Sequence, residues 1–165
     1  MRRMTVARQE FTDAVGAFAS GVTLVTVRDG RDDIGSTVTA FASLSLDPPM
    51  VVVAIAEESY LAEAVTRAGS FAVTILAAGQ KALAGRFTAA GRPSARLLLA
   101  NVAHHRGPAS EALVIEDGCA ALECTVADPV RGGDHVLFPS TVTAVDYVAP
   151  SARPLLHVTG GYITV

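Results

Sequence analysis

A hydroxyl-rich segment, residues 35–49 (GSTVTAFASLSLDPP), lies between two apolar runs and constrains how the rest of the chain can fold. The runs at residues 22–27 and 50–56 have the composition of β-strands. The segment carries too little charge for a solvated surface loop and too many hydroxyls for an ordinary core segment, because a buried unpaired hydroxyl costs about 1–3 kcal/mol. We therefore interpret some of the hydroxyl partners as groups of a ligand.

The spacing of these hydroxyls does not by itself identify a ligand. Hydroxyl side chains recur along the segment at Thr37, Thr39, Ser43 and Ser45. Such groups can donate to a phosphate, whereas small neighbours leave the backbone open to the edge of a flat heterocycle. Ordinary strand and turn residues explain the same pattern, and spacing alone favours that explanation.

Composition indicates one domain, since 165 residues are enough for a full core. Half of the residues are hydrophobic and 18% are charged, which a homodimer explains better than a bias toward small residues. The net charge is −3 with no basic cluster, so neither nucleic acid nor an anionic membrane is an expected partner. No apolar run has the length of a signal peptide or a membrane span, so we expect a cytoplasmic protein.

The order of elements predicts a mainly β fold, an all-β barrel with a few covering helices. Helices are expected over residues 5–20, after the N-cap Ser59 through residue 67, and over residues 80–87. Residues 89–113 are expected to form loops with one or two short strands. Strands are predicted at residues 22–28, from residue 34, and at 50–56, 70–76, 118–127, 134–145 and 154–165.

Several catalytic motifs are absent from the chain. Residues 16–23 (GAFASGVT) have the outline of a phosphate-binding loop, but Val22 stands where the lysine should be. No GxGxxG, GxSxG or HExxH sequence occurs, which removes the usual dinucleotide-fold, serine-hydrolase and zinc-protease signatures.

The histidines and cysteines also predict no metal site. We interpret His104 and His105 as an exposed pair in a loop, and His157 as a structural histidine within an apolar strand. Cys119 and Cys124 are five residues apart in one strand, so they lie on opposite faces and cannot pair with each other.

Six segments occur in a recognisable order and spacing: FTDAVGAFASGVTLVT, GSTVTAFASLSLDPPMVVVAI, GSFAVTIL, LAGRF, LECTV and GGDHVLF. Together they resemble the flavin reductase-like, FMN-binding split-barrel family over residues 11–162. The resemblance implies a mainly β, Greek-key split β-barrel with a few short helices, with residues 1–165 as a single domain. It also implies a homodimer with one flavin per subunit, bound near the dimer interface.

The activity implied by the resemblance is that of an NAD(P)H:flavin oxidoreductase. Such a protein transfers a hydride from NADH or NADPH to FMN or FAD, and supplies the reduced flavin to a partner monooxygenase. Two alternatives stay open: a flavoprotein that acts on another acceptor or a small organic substrate, and a flavin-binding dimer module without catalysis.

The resemblance also implies site residues. The residues that match the family's flavin-ring and ribityl segment are Thr37, Val38, Thr39, Ala40, Ser43, Leu44 and Ser45. Ser59 matches the serine that helps to hold the phosphate, at a helix N-terminus whose partial positive charge favours an anion. Arg86 and Phe87 match residues near the flavin tail, and His135 matches the histidine beside the nicotinamide.

Three departures from the family pattern modify these expectations. Ala40 and Ala42 lack hydroxyls that the family commonly has, so backbone groups should carry more of the flavin binding. Two acids, Glu57 and Glu58, precede Ser59 and would repel a phosphate unless they point away from it. Tyr162 follows Gly161 without the arginine that the family often has between them.

Overall fold

The structure is a computed structural model that describes residues 6–165. The helices are α1 (Arg8–Gly16), α2 (Tyr60–Ala68), α3 (Lys81–Thr88) and α4 (Ala95–Leu98), with a 3₁₀ turn at Ala78–Gln80 before α3. The strands are β1 (Ser20–Gly21), β2 (Thr23–Asp29), β3 (Asp32–Val38), β4 (Phe41–Leu46), β5 (Pro49–Ala56), β6 (Ser70–Ile75), β7 (His104–Arg106), β8 (Leu113–Ile115), β9 (Ala120–Val126), β10 (Val130–Gly132), β11 (His135–Val148), β12 (Leu155–Val158) and β13 (Gly161–Thr164).

One curled antiparallel sheet dominates the fold. Its strand order is β3-β2-β6-β9-β11-β5-β4, with β10 paired to β11 beyond this path. Alternation of side chains gives β5 a buried face with Val51, Val53 and Ile55, where Val53 packs with Phe71 and Phe138 in the main core. The opposite face of β5, which includes Val52 and Ala54, is less buried.

The two ends of the sheet approach each other where the chain passes from β3 to β4. Thr39 and Ala40 make this passage, and the N–H of Ala54 donates to the carbonyl of Ala40 at 2.9 Å. Among residues 6–165, β3 has a strand neighbour only on its β2 side, so the sheet curls without closing into a complete barrel. The predicted mainly β split barrel is confirmed.

Helix α2 has the boundaries that its sequence predicts. The Ser59 hydroxyl accepts a hydrogen bond from the N–H of Ala62 at 3.2 Å, which caps the first turn. Gly69 ends the helix with φ of 68°, a left-handed conformation that favours glycine. The start of this helix is therefore fixed at the end of β5, next to the point where the sheet fails to close.

The first helix is shorter than predicted. The expected helix over residues 5–20 begins at Thr5, which lies outside the described residues, and α1 ends at Gly16. The helix cannot reach residue 20, because Ser20 and Gly21 pair with β12 as strand β1. None of the side chains of α1 is buried.

The apolar residues of this region stay at the surface of the chain. Phe11 is 59% exposed, and Phe18, just after α1, is 79% exposed. None of the helices within the described range has the combination of length and apolar character that crossing a bilayer requires.

Residues 89–113 contain the short helix α4 and the strand β7 as well as the predicted loops. The prediction that His104 and His105 form an exposed loop pair was wrong, because both lie in β7 and are partly buried. His104 Nδ1 bonds the carbonyl oxygen of Val102 at 2.7 Å. His105 instead bonds two carboxylates, those of Glu116 at 3.1 Å and Asp146 at 3.0 Å.

The cysteines are unpaired, as the sequence predicts, and no group of three or more His, Cys, Asp or Glu side chains within residues 6–165 is arranged to hold a metal ion. Burial raises the pKa of the Cys124 thiol to about 12, with a further contribution from neighbouring Glu123. Cys124 therefore remains a neutral core thiol at physiological pH.

The contacts of His105 predict a pH-dependent stability. The hydrogen bond to Asp146 and, more weakly, that to Glu116 raise the pKa of His105 above its ordinary value of 6.5 despite partial burial. A raised pKa in the folded state means that the stabilisation is complete below about pH 6.5 and is lost as the pH rises through the folded-state pKa. Chemical denaturation of the wild type and of His105→Asn at several pH values from about 5.5 to about 9 checks the prediction.

The expected result is a difference in unfolding free energy between the two proteins that shrinks as the pH rises. A difference that is constant over this range, or that grows with pH, would contradict the assigned charge of His105. His104→Asn is the matched control, since His104 faces a carbonyl rather than carboxylates and should show no comparable trend.

Candidate functional site

Two cavities meet at the unclosed part of the sheet. The smaller has a volume of about 250 Å³ and the larger a volume of about 960 Å³. Both are lined by Thr39, Ala40 and Ala54, so these three residues form a junction between the cavities. We call this set of three residues the junction.

The smaller cavity lies between the end of β3 and the end of β5. Ala56 and Ile55 lie beyond the last residue of β5 that pairs with β4, which is Val53 opposite Phe41. Backbone donors and acceptors on these two strand edges are therefore available to a ligand. The lining residues are Ser36, Thr37, Val38, Thr39, Ala40, Ala54, Ile55, Ala56, Ser59, Leu61 and His135.

Ser59 places a hydroxyl donor at one end of the smaller cavity. Its oxygen accepts from the N–H of Ala62, so its own O–H can donate to a ligand. The N-terminus of the nine-residue helix α2 lies at the same place and favours a negative group. This end of the cavity fits a phosphate.

One of the two acids before Ser59 is balanced by an ion pair, and the other is exposed to solvent. Glu57 forms an ion pair with Arg131 on β10, and its backbone N–H donates to the carbonyl of Asp134 at 2.9 Å. Glu58 is exposed to solvent. The charge of Glu57 is thus balanced within the chain, and the expected repulsion of a phosphate is reduced.

His135 reaches the smaller cavity from the first residue of β11. Its Nδ1 bonds the carboxylate of Asp134 at 2.7 Å, and this hydrogen bond holds the pKa of Asp134 below its ordinary value. A carboxylate only accepts, so Nδ1 carries the hydrogen and Nε2 is the ring nitrogen left for a ligand.

The larger cavity is mostly apolar and lies between α1, β4, β5, β11 and β12. Phe18, Phe41 and Leu137 line it, and so does His157, whose ring packs edge-on against Tyr162 with centroids 5.8 Å apart. A mostly apolar cavity of this size fits a flat aromatic system. Its margin toward the smaller cavity is the junction.

The structure separates the predicted site residues into two groups. Thr37, Val38, Thr39, Ala40, Ser59 and His135 line a cavity. Ser43, Leu44 and Ser45 lie on β4, which pairs only with β5 within the described chain, and they line neither cavity. Any contact of these three residues with a flavin would therefore come from outside the two cavities.

Arg86 and Phe87 also line neither cavity. Arg86 donates to the carbonyl of Leu98 at 3.3 Å, and the Phe87 side chain is fully buried in the second core. A Cβ atom at Gly35 would lie 2.9 Å from the Phe87 ring, so only glycine lets β3 approach α3 this closely. Phe87 thus packs against β3 from the second core, and its ring lines neither of the two cavities.

Sequence reasoning missed many of the residues that line the cavities, and Ala54 and His157 are two of them. Ala54 lies in a run of apolar residues, and the alternation of β5 is the signal that would have placed it on the outer face. His157 was interpreted as structural, yet it lines the larger cavity. Its pairing with Ser20 brings it beside α1, and no local pattern in the sequence predicts that contact.

Comparison with known proteins shows which family the chain belongs to. The chain belongs to the flavin reductase family, because residues 15–165 match the family described as "Flavin reductase like domain".

Individual relatives agree with this assignment. The NADH-dependent FMN reductase AsuE2 of Streptomyces nodosus subsp. asukaensis is 35% identical over 158 residues, which cover 96% of this chain and 85% of that protein. The reductase component of 4-hydroxyphenylacetate 3-monooxygenase of Thermus thermophilus is 36% identical, covering 94% of this chain and 95% of the relative. The solved structure of the Streptomyces globisporus C-1027 NADH:FAD oxidoreductase SgcE6, in complex with NAD and FAD fragments, superposes with a TM-score of 0.87 at 30% identity, covering 94% of this chain and 91% of that one.

Proposed function

We propose that the protein is an NADH-dependent flavin reductase that supplies reduced FMN or FAD to a partner monooxygenase. The observation that carries the proposal is the junction, where a small cavity with several hydroxyl groups meets a large and mostly apolar one. A flavin has the same division into a polar tail and a flat ring system. Relatives named as NADH-dependent reductases and as a monooxygenase reductase component support the same function.

The chain's own residues suit the parts of a flavin. The smaller cavity offers the Ser59 hydroxyl and the start of α2 to the phosphate, and the edges of β3 and β5 to the ribityl chain. At the junction, Ala40 and Ala54 have short side chains that let a ring approach the backbone. A bound flavin would accept a hydride from NADH, and the protein's task is to hold the two rings together and exclude water.

We infer that the protein is a homodimer. Phe18 lines the larger cavity yet is 79% exposed, and on β4 Leu44 is 51% and Leu46 is 90% exposed. A second copy covering α1 and β4 would bury these side chains and close the larger cavity from solvent. Sedimentation velocity should show a dimer at micromolar concentration, and a monomer under those conditions would contradict this inference.

The remaining proposals concern context. We propose that the chain acts as one flavin reductase-like domain and works in the cytoplasm, where NADH is available. Two unpaired cysteines fit a reducing compartment.

A titration of the purified protein with FMN, FAD and NADH tests the proposed function. The fluorescence of FMN and of FAD should be quenched or shifted when each flavin binds, and the change should saturate at one flavin per chain. NADH consumption in air should then depend on added flavin. Saturable flavin binding without flavin-dependent NADH consumption would contradict the reductase function, and absence of flavin binding would contradict the site itself.

We predict that His135→Ala lowers kcat/KM for NADH about threefold to tenfold, the loss expected for one hydrogen bond. The Nε2 atom of His135 is the group that the variant removes from the cavity. The measurement is steady-state NADH oxidation at saturating FMN, together with the Kd for FMN.

His104→Ala is the matched control. His104 is also a half-buried histidine, but it contacts a backbone carbonyl and is far in sequence from the residues that line the cavities. Turnover with NADH that is unchanged in His135→Ala would contradict the role of this histidine. A change confined to the Kd for FMN would show that His135 serves the flavin alone.

A further inference from the structure

Three hydroxyl groups from distant parts of the chain form a continuous hydrogen-bonded chain at the edge of the smaller cavity. Thr88, the last residue of α3, is at the centre. Its Oγ1 lies 3.2 Å from Thr37 Oγ1 on β3 and 3.2 Å from the Tyr162 hydroxyl on β13. It also lies 2.9 Å from the carbonyl oxygen of Ala84 on its own helix. Of these groups, only Thr37 lines the smaller cavity.

The three contacts of Thr88 can all be hydrogen bonds at once in only one arrangement of the hydroxyl hydrogens. A threonine hydroxyl has one hydrogen to donate and two lone pairs with which to accept. The carbonyl of Ala84 can only accept, so Thr88 must donate its hydrogen there. The other two contacts are hydrogen bonds only if Thr37 and Tyr162 both donate to Thr88. The capacity of Thr88 is then fully used.

This direction determines what Thr37 can offer to a ligand. Because its only hydrogen is directed at Thr88, Thr37 presents lone pairs to the smaller cavity and acts there as an acceptor. An acceptor suits a hydroxyl or N–H donor and is unfavourable next to a phosphate oxygen. Ser59 has the opposite arrangement, since its oxygen is used by the Ala62 N–H and its hydrogen is available. The two hydroxyls of the cavity are therefore not equivalent.

We infer that Thr88 is a positioning residue for flavin binding, which makes Thr37 an acceptor for a ribityl hydroxyl and leaves the phosphate to Ser59. This inference rests on the proposed function, because it specifies how the flavin tail is oriented in the cavity. It also gives Tyr162 a part in the same chain, although the residue touches Thr88 rather than the cavity. The ribityl chain carries the hydroxyl donors of a flavin, and the ring system carries a single N–H donor at N3, so a ligand that keeps the ring and lacks the ribityl chain separates the two.

Thr88→Val tests the inference, because it keeps the shape of the side chain and removes its hydroxyl. Thr88→Ala serves the same purpose if valine prevents folding, and Thr88→Ser keeps the hydroxyl. Thr66→Val is the matched control, since Thr66 makes the same helix contact, to the carbonyl of Ala62 at 2.8 Å, on helix α2. Binding of riboflavin, FMN and lumiflavin, which lacks the ribityl chain, is measured by fluorescence.

In Thr88→Val, we expect the Kd of riboflavin and of FMN to rise about threefold to tenfold, as for the loss of one neutral hydrogen bond. The Kd of lumiflavin should not change, Thr88→Ser should restore wild-type binding, and Thr66→Val should have no effect on any flavin. Unchanged riboflavin binding in Thr88→Val, or an equal loss for lumiflavin, overturns the inference while the proposed function stands. A wild-type protein that binds no flavin overturns both.

Discussion

Replacement of Ala54 by leucine is expected to weaken FMN binding by at least about 100-fold, a loss of about 2.8 kcal/mol. Ala54 lines both cavities, and it lies on the face of β5 opposite the buried Val53 and Ile55. A leucine side chain at this position would occupy the junction, where a flavin ring has to approach the backbone. Overlap with a ligand that cannot be relieved by a small movement is costly, because the surrounding strands are fixed by pairing.

The same substitution should have little effect on folding, because the added atoms enter an open cavity rather than the core. We expect the free energy of unfolding to change by less than about 1 kcal/mol. Thr125→Leu, an exposed position on β9, is the matched control and should keep wild-type FMN affinity. FMN affinity in Ala54→Leu within a few-fold of the wild-type value would show that the flavin does not use the junction.

Replacement of Glu123 by alanine is expected to lower the free energy of unfolding by about 3–5 kcal/mol, since each buried donor left unpaired costs about 1–3 kcal/mol. Glu123 is fully buried on β9. Its Oε2 accepts from the N–H of Ala109 at 3.0 Å and from both the N–H and the hydroxyl of Ser110 at 2.6 Å. These bonds attach the connection between β7 and β8 to the central sheet.

The packing around Glu123 leaves no room for an alternative partner. A Cβ atom at Gly107 would overlap with Oε2 of Glu123, so only glycine fits beside this carboxylate. Glu123→Gln keeps an acceptor oxygen and the same shape, and it should cost less than half as much as alanine. Chemical denaturation measures both variants. An alanine variant within about 0.5 kcal/mol of the wild type, the usual range for surface substitutions, would contradict this account of the loop.

The sequence predicts the elements that depend on local patterns. Alternating apolar residues place β2, β5, β6 and β9, and Ser59 with Gly69 marks the two ends of α2. These signals are local, because a strand face or a helix cap is determined by residues a few positions apart. The composition of residues 35–49 led us to interpret the segment as a contact for a ligand, and residues 36–40 of it line the smaller cavity.

Features that depend on distant contacts could not be predicted. Phe87 follows an arginine at the end of a helix, and nothing nearby shows that its ring fills the space beside Gly35. The two carboxylates that bond His105 belong to β11 and to the segment after β8, so its partial burial follows from the tertiary fold. The role of Thr88 arises in the same way, because Thr37 and Tyr162 are 51 and 74 residues from it.

The resemblance to a known family supplied the ligand, which local patterns could not name. It implied flavin contacts both at Thr37 to Ala40 and at Ser43 to Ser45, whereas the structure places the first group in a cavity and the second on β4 outside both cavities. A strand with a neighbour on one side turns its other edge outward, so the second half of the segment faces the surface that we propose to be covered by a second subunit.

Anaerobic reduction of FMN by NADH is the direct test of hydride transfer at the junction. The protein with bound FMN is mixed with NADH, and bleaching of the flavin absorption is followed against a mixture without protein. Rapid bleaching is expected with the wild type, and bleaching at the protein-free rate is expected with Ala54→Leu. Wild-type protein that binds FMN at the junction but leaves its reduction at the protein-free rate would contradict the claim that this site is built for hydride transfer from NADH.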